Sequence, residues 1–290
     1  MFRFHQNRLQ IQQKIGKGRF GTVFPYQKDP QDLKWVVKRI KAEDSDSLMA
    51  SLPEIVLGFA CDHPRVVPVK GYFIEKDLDK VGFNIYMKLP RMKETLGNDL
   101  KTRKRQNNPY SEQEIIRHFH SLVCGVGYLH SKKICHGDIK PDNLLLDENG
   151  VLMIGDVGIA KHVEEEDSDQ TLTGQIGTYQ YSAPEIMGVG LGEKKKRGLA
   201  KADIWSLGVV ILELCYFDFR LLNASLSQDK LQGRISEFVG SLEGKYSSSI
   251  VKLLKRILNL DPKLRPDIEE IKMELETNLS QFLVETLSSW

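Results

Sequence analysis

The chain has 290 residues, 41% of them hydrophobic and 28% charged, which is material for one large two-lobed unit or two small domains with a real core. A net charge of +2 is too balanced to imply a nucleic-acid or anionic-membrane partner, and no run approaches the ~20 apolar residues of a membrane span. The cysteines Cys61, Cys124, Cys135 and Cys215 are scattered without C-x-x-C spacing and MFRFHQNRLQ has no apolar leader, so the expectation is a reduced, soluble protein of the cytoplasm or nucleus.

Through residue 90 the chain reads as short strands interrupted once by a helix. RLQIQQKIG, GTVFPYQ, LKWVVKRI, VVPVKGYF and VGFNIYMKL are β-branched and aromatic runs bounded by Gly, Pro and Asp. Between the third and fourth, SDSLMASLPEIVLGFA has helical period. Ser51 is its expected N-cap, which leaves Pro53 in the first turn, where a missing N–H is tolerated. After Arg91 the pattern becomes mainly helical. SEQEIIRHFHSLVCGVGYLHSK is amphipathic, with Ser111 and Glu114 spaced as a capping box. KADIWSLGVVILELCYF is mostly apolar and predicts a buried helix. SSSIVKLLKRILNL and the stretch after Pro266 complete the helical part. A small β-rich lobe, a hinge near Lys88 to Met92 and a large helical lobe follow.

The chemistry concentrates in CHGDIKPDNLLL, Cys135 to Leu146, which supplies an acid, a cation and an amide at Asp138, Lys140 and Asn143. Thirteen residues beyond Asn143 stands a second acid, Asp156. Phosphoryl transfer to a hydroxyl needs these parts: one carboxylate to orient the hydroxyl and take its proton, a Lys to offset charge, and an amide with a second carboxylate to hold magnesium. Upstream, GKGRFGTV places Gly16, Gly18 and Gly21 between two strand-like runs. That suits a hairpin whose backbone amides approach phosphates with no Cβ in the way. Lys38, seventeen residues after Gly21, would reach the phosphates, and Glu54 is the candidate anion to aim it, with Asp44 and Asp46 as alternatives.

Taken together, these spacings closely resemble the eukaryotic-type Ser/Thr protein kinases: H-R-D-x-K-x-x-N, then D-F-G, behind a Gly-rich hairpin and a strand Lys. HPRVVPV resembles that family's H-P-x-I-V turn, and GTYQYSAPE (Gly177 to Glu185) its G-T-x-x-Y-x-A-P-E segment. The resemblance implies an α+β, two-lobed protein-kinase-like fold over 1–290, with a small lobe to residue 90, a large lobe from 91 and a helical extension from about 266. It also implies ATP and Mg2+ as cofactors and a protein substrate. Asp138, Lys140 and Lys38 would be catalytic, and Asn143 and Asp156 would hold metal. The nucleotide would meet Ile15, Gly16, Gly18, Gly21, Val23, Val36, Lys38, Glu54, Met87, Leu89 and Leu145, with Lys88 to Pro90 offering backbone bonds to adenine. Glu185 would pair with Arg265, and Asp203 would brace the catalytic loop.

Two departures accompany the match: Gly137 stands where the family commonly has Arg, and Val157 where it has Phe. Ser168, Thr171, Thr173, Thr178, Tyr179, Tyr181 and Ser182 lie between Asp156 and Glu185, and Gly137 cannot help clamp a phosphate on any of them. The basic run 192–201 reads as a solvated loop. Gly58, one turn after Glu54, faces Val157 in this register, so a packing deficit is expected there unless Leu57 or Phe59 swings in. A regulatory protein pressing on that helix would then be a possible switch. The rival reading is a scaffold that keeps the fold without the chemistry.

Overall fold

A computed structural model of the protein describes residues 14–18, 21–26, 34–77, 81–157, 161–162, 180–187, 198–216 and 227–277. The small lobe is built on five antiparallel strands: β1 (Gly16–Gly18), β2 (Gly21–Tyr26), β3 (Trp35–Ala42), β4 (Gly71–Lys76) and β5 (Phe83–Pro90). Their order is β1-β2-β3-β5-β4. Register decides which side chains share a face. Val23 lies opposite Lys38, Lys38 opposite Met87, and Val36 opposite Leu89. Directly opposed residues project to the same side of a sheet, so these form one inward-facing row. The expected strand VVPVKGYF is shorter than its composition suggests. Pairing begins only at Gly71, because Pro68 brings no N–H to a ladder.

The helix α1 (Ser45–Ala60) starts six residues before the expected cap. Asp44 accepts the Ser47 N–H at 2.7 Å, while Ser47 Oγ accepts the Asp44 N–H at 3.0 Å. This reciprocal box satisfies two end groups at once, a better start than Ser51, whose hydroxyl instead donates to the Ser47 carbonyl. Pro53 therefore lies inside the helix, where it removes one i→i−4 bond. Ile55 seals α1 onto the sheet against Ala42, Val69, Ile85 and Met87.

The large lobe contains β6 (Glu94–Thr95), α2 (Leu96–Gln106), α3 (Glu112–Ser131), β7 (Ile134–Cys135), β8 (Leu144–Leu146), β9 (Leu152–Ile154), β10 (Lys161–His162), α4 (Pro184–Met187), α5 (Leu199–Tyr216), α6 (Gln228–Gly240) and α7 (Ser248–Ile257), with residues 268–277 also helical. The Ser111 and Glu114 capping box starts α3 as expected. Its stripe Ile115, Phe119, Leu122, Val126 and Leu129, fully buried, follows the helical repeat and faces the core. Thirteen of the eighteen residues of α5 are buried, which accounts for its apolar composition on every side. The four cysteines are unbridged. No helix among the described residues is long and apolar enough to cross a membrane.

One ion pair ties the end of the described chain to α4. Arg265 donates to Glu185 through both terminal guanidinium nitrogens, at 2.6 and 2.8 Å. Its remaining donors reach the carbonyls of Asn259 and Lys201, and Trp205 lies under its plane at 4.9 Å. Both partners are buried, so removing one strands the other charge away from water. Arg265→Met is expected to cost about 3–5 kcal/mol in urea unfolding. The double replacement of Glu185 and Arg265 by apolar residues should cost less than that single one.

Candidate active site

A cleft of about 570 Å3 lies between the lobes. Gly16, Gly21, Val23, Lys38, Met87 and Leu89 line it from the small lobe, and Lys140, Asn143, Leu145 and Asp156 from the large one. All ten were expected from sequence. Gly18 sits in the hairpin opposite Gly21. Ile15 is half exposed, held by an N–H donated to the Val23 carbonyl. Val36 is buried beside the cleft, opposite Leu89. The side chain of Glu54 lies outside the described residues. Asp44 serves as a helix cap, which removes it as an alternative partner for Lys38. The hairpin needs its glycine at Gly21: a Cβ there would sit 2.5 Å from the Arg39 carbonyl oxygen.

Three groups that are close in sequence meet in one buried cluster. Lys140 donates to Asp138 Oδ2 at 2.5 Å. Asn143 Nδ2 donates to the same oxygen at 2.9 Å and to the Asp138 carbonyl at 2.8 Å. Asp138 Oδ1 and Asn143 Oδ1 accept no hydrogen bond among the described residues. Across the cleft, Lys38 donates to Asp156 Oδ1 at 2.8 Å, with both side chains mostly buried. Asp156 adopts a left-handed backbone, φ 54°, a conformation that Asp tolerates better than most residues.

Asp203 holds the loop beneath. Its Oδ2 accepts the His136 N–H at 2.8 Å and the His130 imidazole at 2.9 Å, and its Oδ1 accepts the Gly137 N–H at 2.9 Å. His136 carries the order further. Its Nδ1 accepts the Asp138 N–H at 3.2 Å, so its proton is on Nε2, which donates to the Gly155 carbonyl at 3.0 Å. The buried imidazole thereby fixes the spacing between the acid of one loop and the residue preceding Asp156. Nearby, burial and the charge of Asp203 push the Cys135 thiol up to about 12.

Sequence reasoning missed several lining residues. Thr95 and Asn98 come from the capped start of α2, and Val67 and Val69 from the segment before β4. Alternation at Val67 and Val69 was the available signal. Val69 also answers the expected packing deficit. A Cβ on Gly58 would stand 2.5 Å from Val69 Cγ2 and 3.7 Å from Val157 Cγ2. The missing side chain is thus replaced by a neighbouring one. Phe59 stays exposed and Leu57 packs on the large-lobe core, so neither swings in.

The hinge also differs from expectation. The Lys88 carbonyl already accepts the Lys70 N–H at 2.9 Å, and the Arg91 N–H donates to the Lys34 carbonyl at 2.8 Å. Pro90 has no N–H, and β5 stays paired with β3 as far as this residue. Lys88 turns outward, its ammonium over the Tyr26 and Trp35 rings.

Residues 9–275 match the family model described as the protein kinase domain. The chain belongs to the protein kinase family. Similar curated proteins include CBL-interacting protein kinase 26 of Oryza sativa subsp. japonica, 30% identical over 273 residues, covering 92% of this chain and 51% of that protein. Serine/threonine-protein kinase Nek11 of Homo sapiens is 30% identical over 273 residues, covering 91% and 39%. CBL-interacting serine/threonine-protein kinase 9 of Arabidopsis thaliana is 33% identical over 211 residues, covering 72% and 43%. The chain spans about half, or less, of the length of these relatives.

Within the kinase fold, Ser168, Thr171, Thr173, Thr178, Tyr179 and the basic stretch 192–197 lie outside the described residues. Tyr181 does not suit a phosphate acceptor. It is buried, its hydroxyl donates to Glu213 Oε2 at 2.7 Å, and burial with that carboxylate raises its pKa far above the phenol range. Lys201, at the end of the basic run, donates to the Arg265 carbonyl at 2.7 Å and is structural. Gly137 has φ 75°, a left-handed backbone that costs a side-chain-bearing residue about 1–2 kcal/mol. Gly137→Ala is accordingly expected to lower stability by about that amount in chemical denaturation, although it deletes no hydrogen bond.

Proposed function

We propose that this chain is a protein serine/threonine kinase that transfers the γ-phosphate of ATP, with magnesium, to hydroxyls of protein substrates. The observation that carries the reading is the convergence of Asp138, Lys140 and Asn143 in one hydrogen-bonded cluster, facing the Lys38–Asp156 pair across a cleft under the glycine hairpin.

The substrate hydroxyl attacks the γ-phosphorus, the bond to the β-phosphate oxygen breaks, and ADP leaves. Asp138 takes the hydroxyl proton. Its Oδ2 is already held by Lys140 and Asn143, so Oδ1 is the atom that meets the substrate. Lys140 offsets charge on the group in flight, and Lys38 steadies the phosphates that stay behind. Asn143 and Asp156 would hold magnesium, which when bound supplies positive charge against the phosphates. An amide oxygen and a carboxylate are the hard oxygen donors this ion takes, and Asn143 turns its amide nitrogen to Asp138, which frees its oxygen for that role. Val23, Met87, Leu89 and Leu145 sandwich the base. With the Lys88 carbonyl engaged and Pro90 without a donor, packing carries more of the base recognition than hinge hydrogen bonds do.

Serine or threonine as acceptor rests on Lys140 and Thr178 and on the names of the relatives. The reading also takes the chain as one kinase domain, with lobes divided at residue 90 and a helical extension from about 266, acting in the cytoplasm or nucleus. Because Gly137 brings no cation to a loop phosphate, a regulatory protein remains among the expected partners. The scaffold alternative rests on Gly58, Gly137 and Val157, and Val69 occupies the space beside Gly58 that counted toward it.

Asp138→Asn keeps the shape but not the base, and is expected to lower turnover by about 10²–10⁴-fold on generic protein substrates with radiolabelled ATP. Wild-type protein without detectable transfer would favour the scaffold. Lys38→Met and Asp156→Ala should each abolish magnesium-dependent turnover while circular dichroism stays unchanged. A wild-type rate in either variant would remove that residue from the site.

A further inference from the structure

A second cavity, of about 380 Å3, lies behind the catalytic cleft. The two share a wall. Leu145 on β8 faces the cleft and Leu146 the second cavity, and along α2 Asn98 faces the first and Asp99 the second. Successive residues of a strand point to opposite faces, which is why one strand can serve both.

The carboxylates of this cavity are neutralised. Arg103 donates to Asp99 at 3.1 Å and to Glu114 at 2.7 Å, and Tyr110 donates to Asp99 at 2.6 Å. Lys93 stands 3.6 Å from Glu94. Two lining guanidiniums remain, Arg65 and Arg117, with no hydrogen-bond or ion-pair partner among the described residues. Deeper in, His118 and Ser121 also line the cavity and are each only 8% exposed. Neither side chain has a hydrogen-bond partner among the described residues. The His118 ring lies edge-on to Tyr110, with centroids 5.7 Å apart. Burial holds His118 down to about 4, with Arg103 and Arg117 adding to the effect and Asp99 and Glu114 opposing it, so at neutral pH it is an uncharged imidazole. The polar atoms of His118 and Ser121 are therefore open to whatever fills this space, which is lined by two guanidiniums without partners among the described residues.

We propose that this cavity is a phosphoryl-binding site, with Ser121 and His118 as neutral hydrogen-bond partners in its depth and Arg65 and Arg117 as the cations. A phosphate monoester carries about −1.5 to −2 at neutral pH and three acceptor oxygens, which matches two guanidiniums better than a carboxylate would. The group arrives either as free phosphate or on a phosphorylated side chain.

The test uses the full chain with labelled histidines. Inorganic phosphate, a short phosphoserine peptide and its unphosphorylated counterpart are titrated separately while the His118 ring is followed by NMR. A saturable His118 shift is expected with the phosphorylated probes and not with the bare peptide. Arg117→Gln and Ser121→Ala should each weaken binding about tenfold or more, since each removes a charged or buried hydrogen bond. Lys38→Met, which alters only the catalytic cleft, should leave the shift intact. Tighter binding of the phosphopeptide than of phosphate would identify a protein-borne ligand, and the reverse a free ion. No saturable shift, an unchanged Kd in both cavity variants, or loss of the shift in Lys38→Met would overturn the proposal. None of these readouts depends on catalytic turnover. Because Arg117 is exposed, its replacement does not threaten the fold.

Discussion

A buried carboxylate organises the large-lobe side of the cleft. Asp203 sits at the start of α5 with almost no exposure, and a charge in that position is tolerable only with several donors aimed at it. It has three: two backbone N–H groups of the loop after β7 and the imidazole of His130. The dependence is mutual. Without the carboxylate, the His136 N–H would be buried unpaired and the Gly137 N–H would lose its partner. Without those donors, the buried carboxylate would have no partner to offset its removal from water.

From this point geometry spreads outward through rigid links. His136 passes the loop's position to the Gly155 carbonyl, and so to the backbone that turns Asp156 toward Lys38. The sheet register then fixes Lys38 between Val23 and Met87. Arg265 and Glu185 perform the corresponding task for α4 and the start of α5. Each anchor is a fully partnered buried charge, which makes it weak as a source of net stability and strong as a determinant of position.

Much of this arrangement is legible in the sequence because it depends on local spacing. Asp138, Lys140 and Asn143 are five positions apart, so any tight loop brings them together. The glycine hairpin and the Ser111–Glu114 cap are likewise short-range patterns. What escaped the reading depended on competition or on distant neighbours. Asp44 outcompeted Ser51 as a cap because its partner Ser47 could reciprocate, and a single cap residue does not reveal that. Gly58 looked like a defect because the residue filling its space, Val69, lies on a different element. Lys88 to Pro90 seemed available for hydrogen bonding until the ladder with β3 and the bond from Lys70 engaged that backbone. In the sequence Tyr181 is one hydroxyl among several between Asp156 and Glu185, and its partner Glu213, thirty-two residues away, is not legible from local spacing.

The separations in these pairs also bear on the order in which the molecule assembles. Lys38 and Asp156 are 118 residues apart, Glu185 and Arg265 80, and His136 and Asp203 67. Contacts between distant segments are formed only after the intervening chain has lost its freedom. The sheet hairpins and α3 need no such wait. On a ribosome, the ceiling of the cleft would be complete while its floor was still inside the exit tunnel. Weakening one of the long-range pairs should therefore act mainly by hastening unfolding, leaving the rate of first collapse almost untouched.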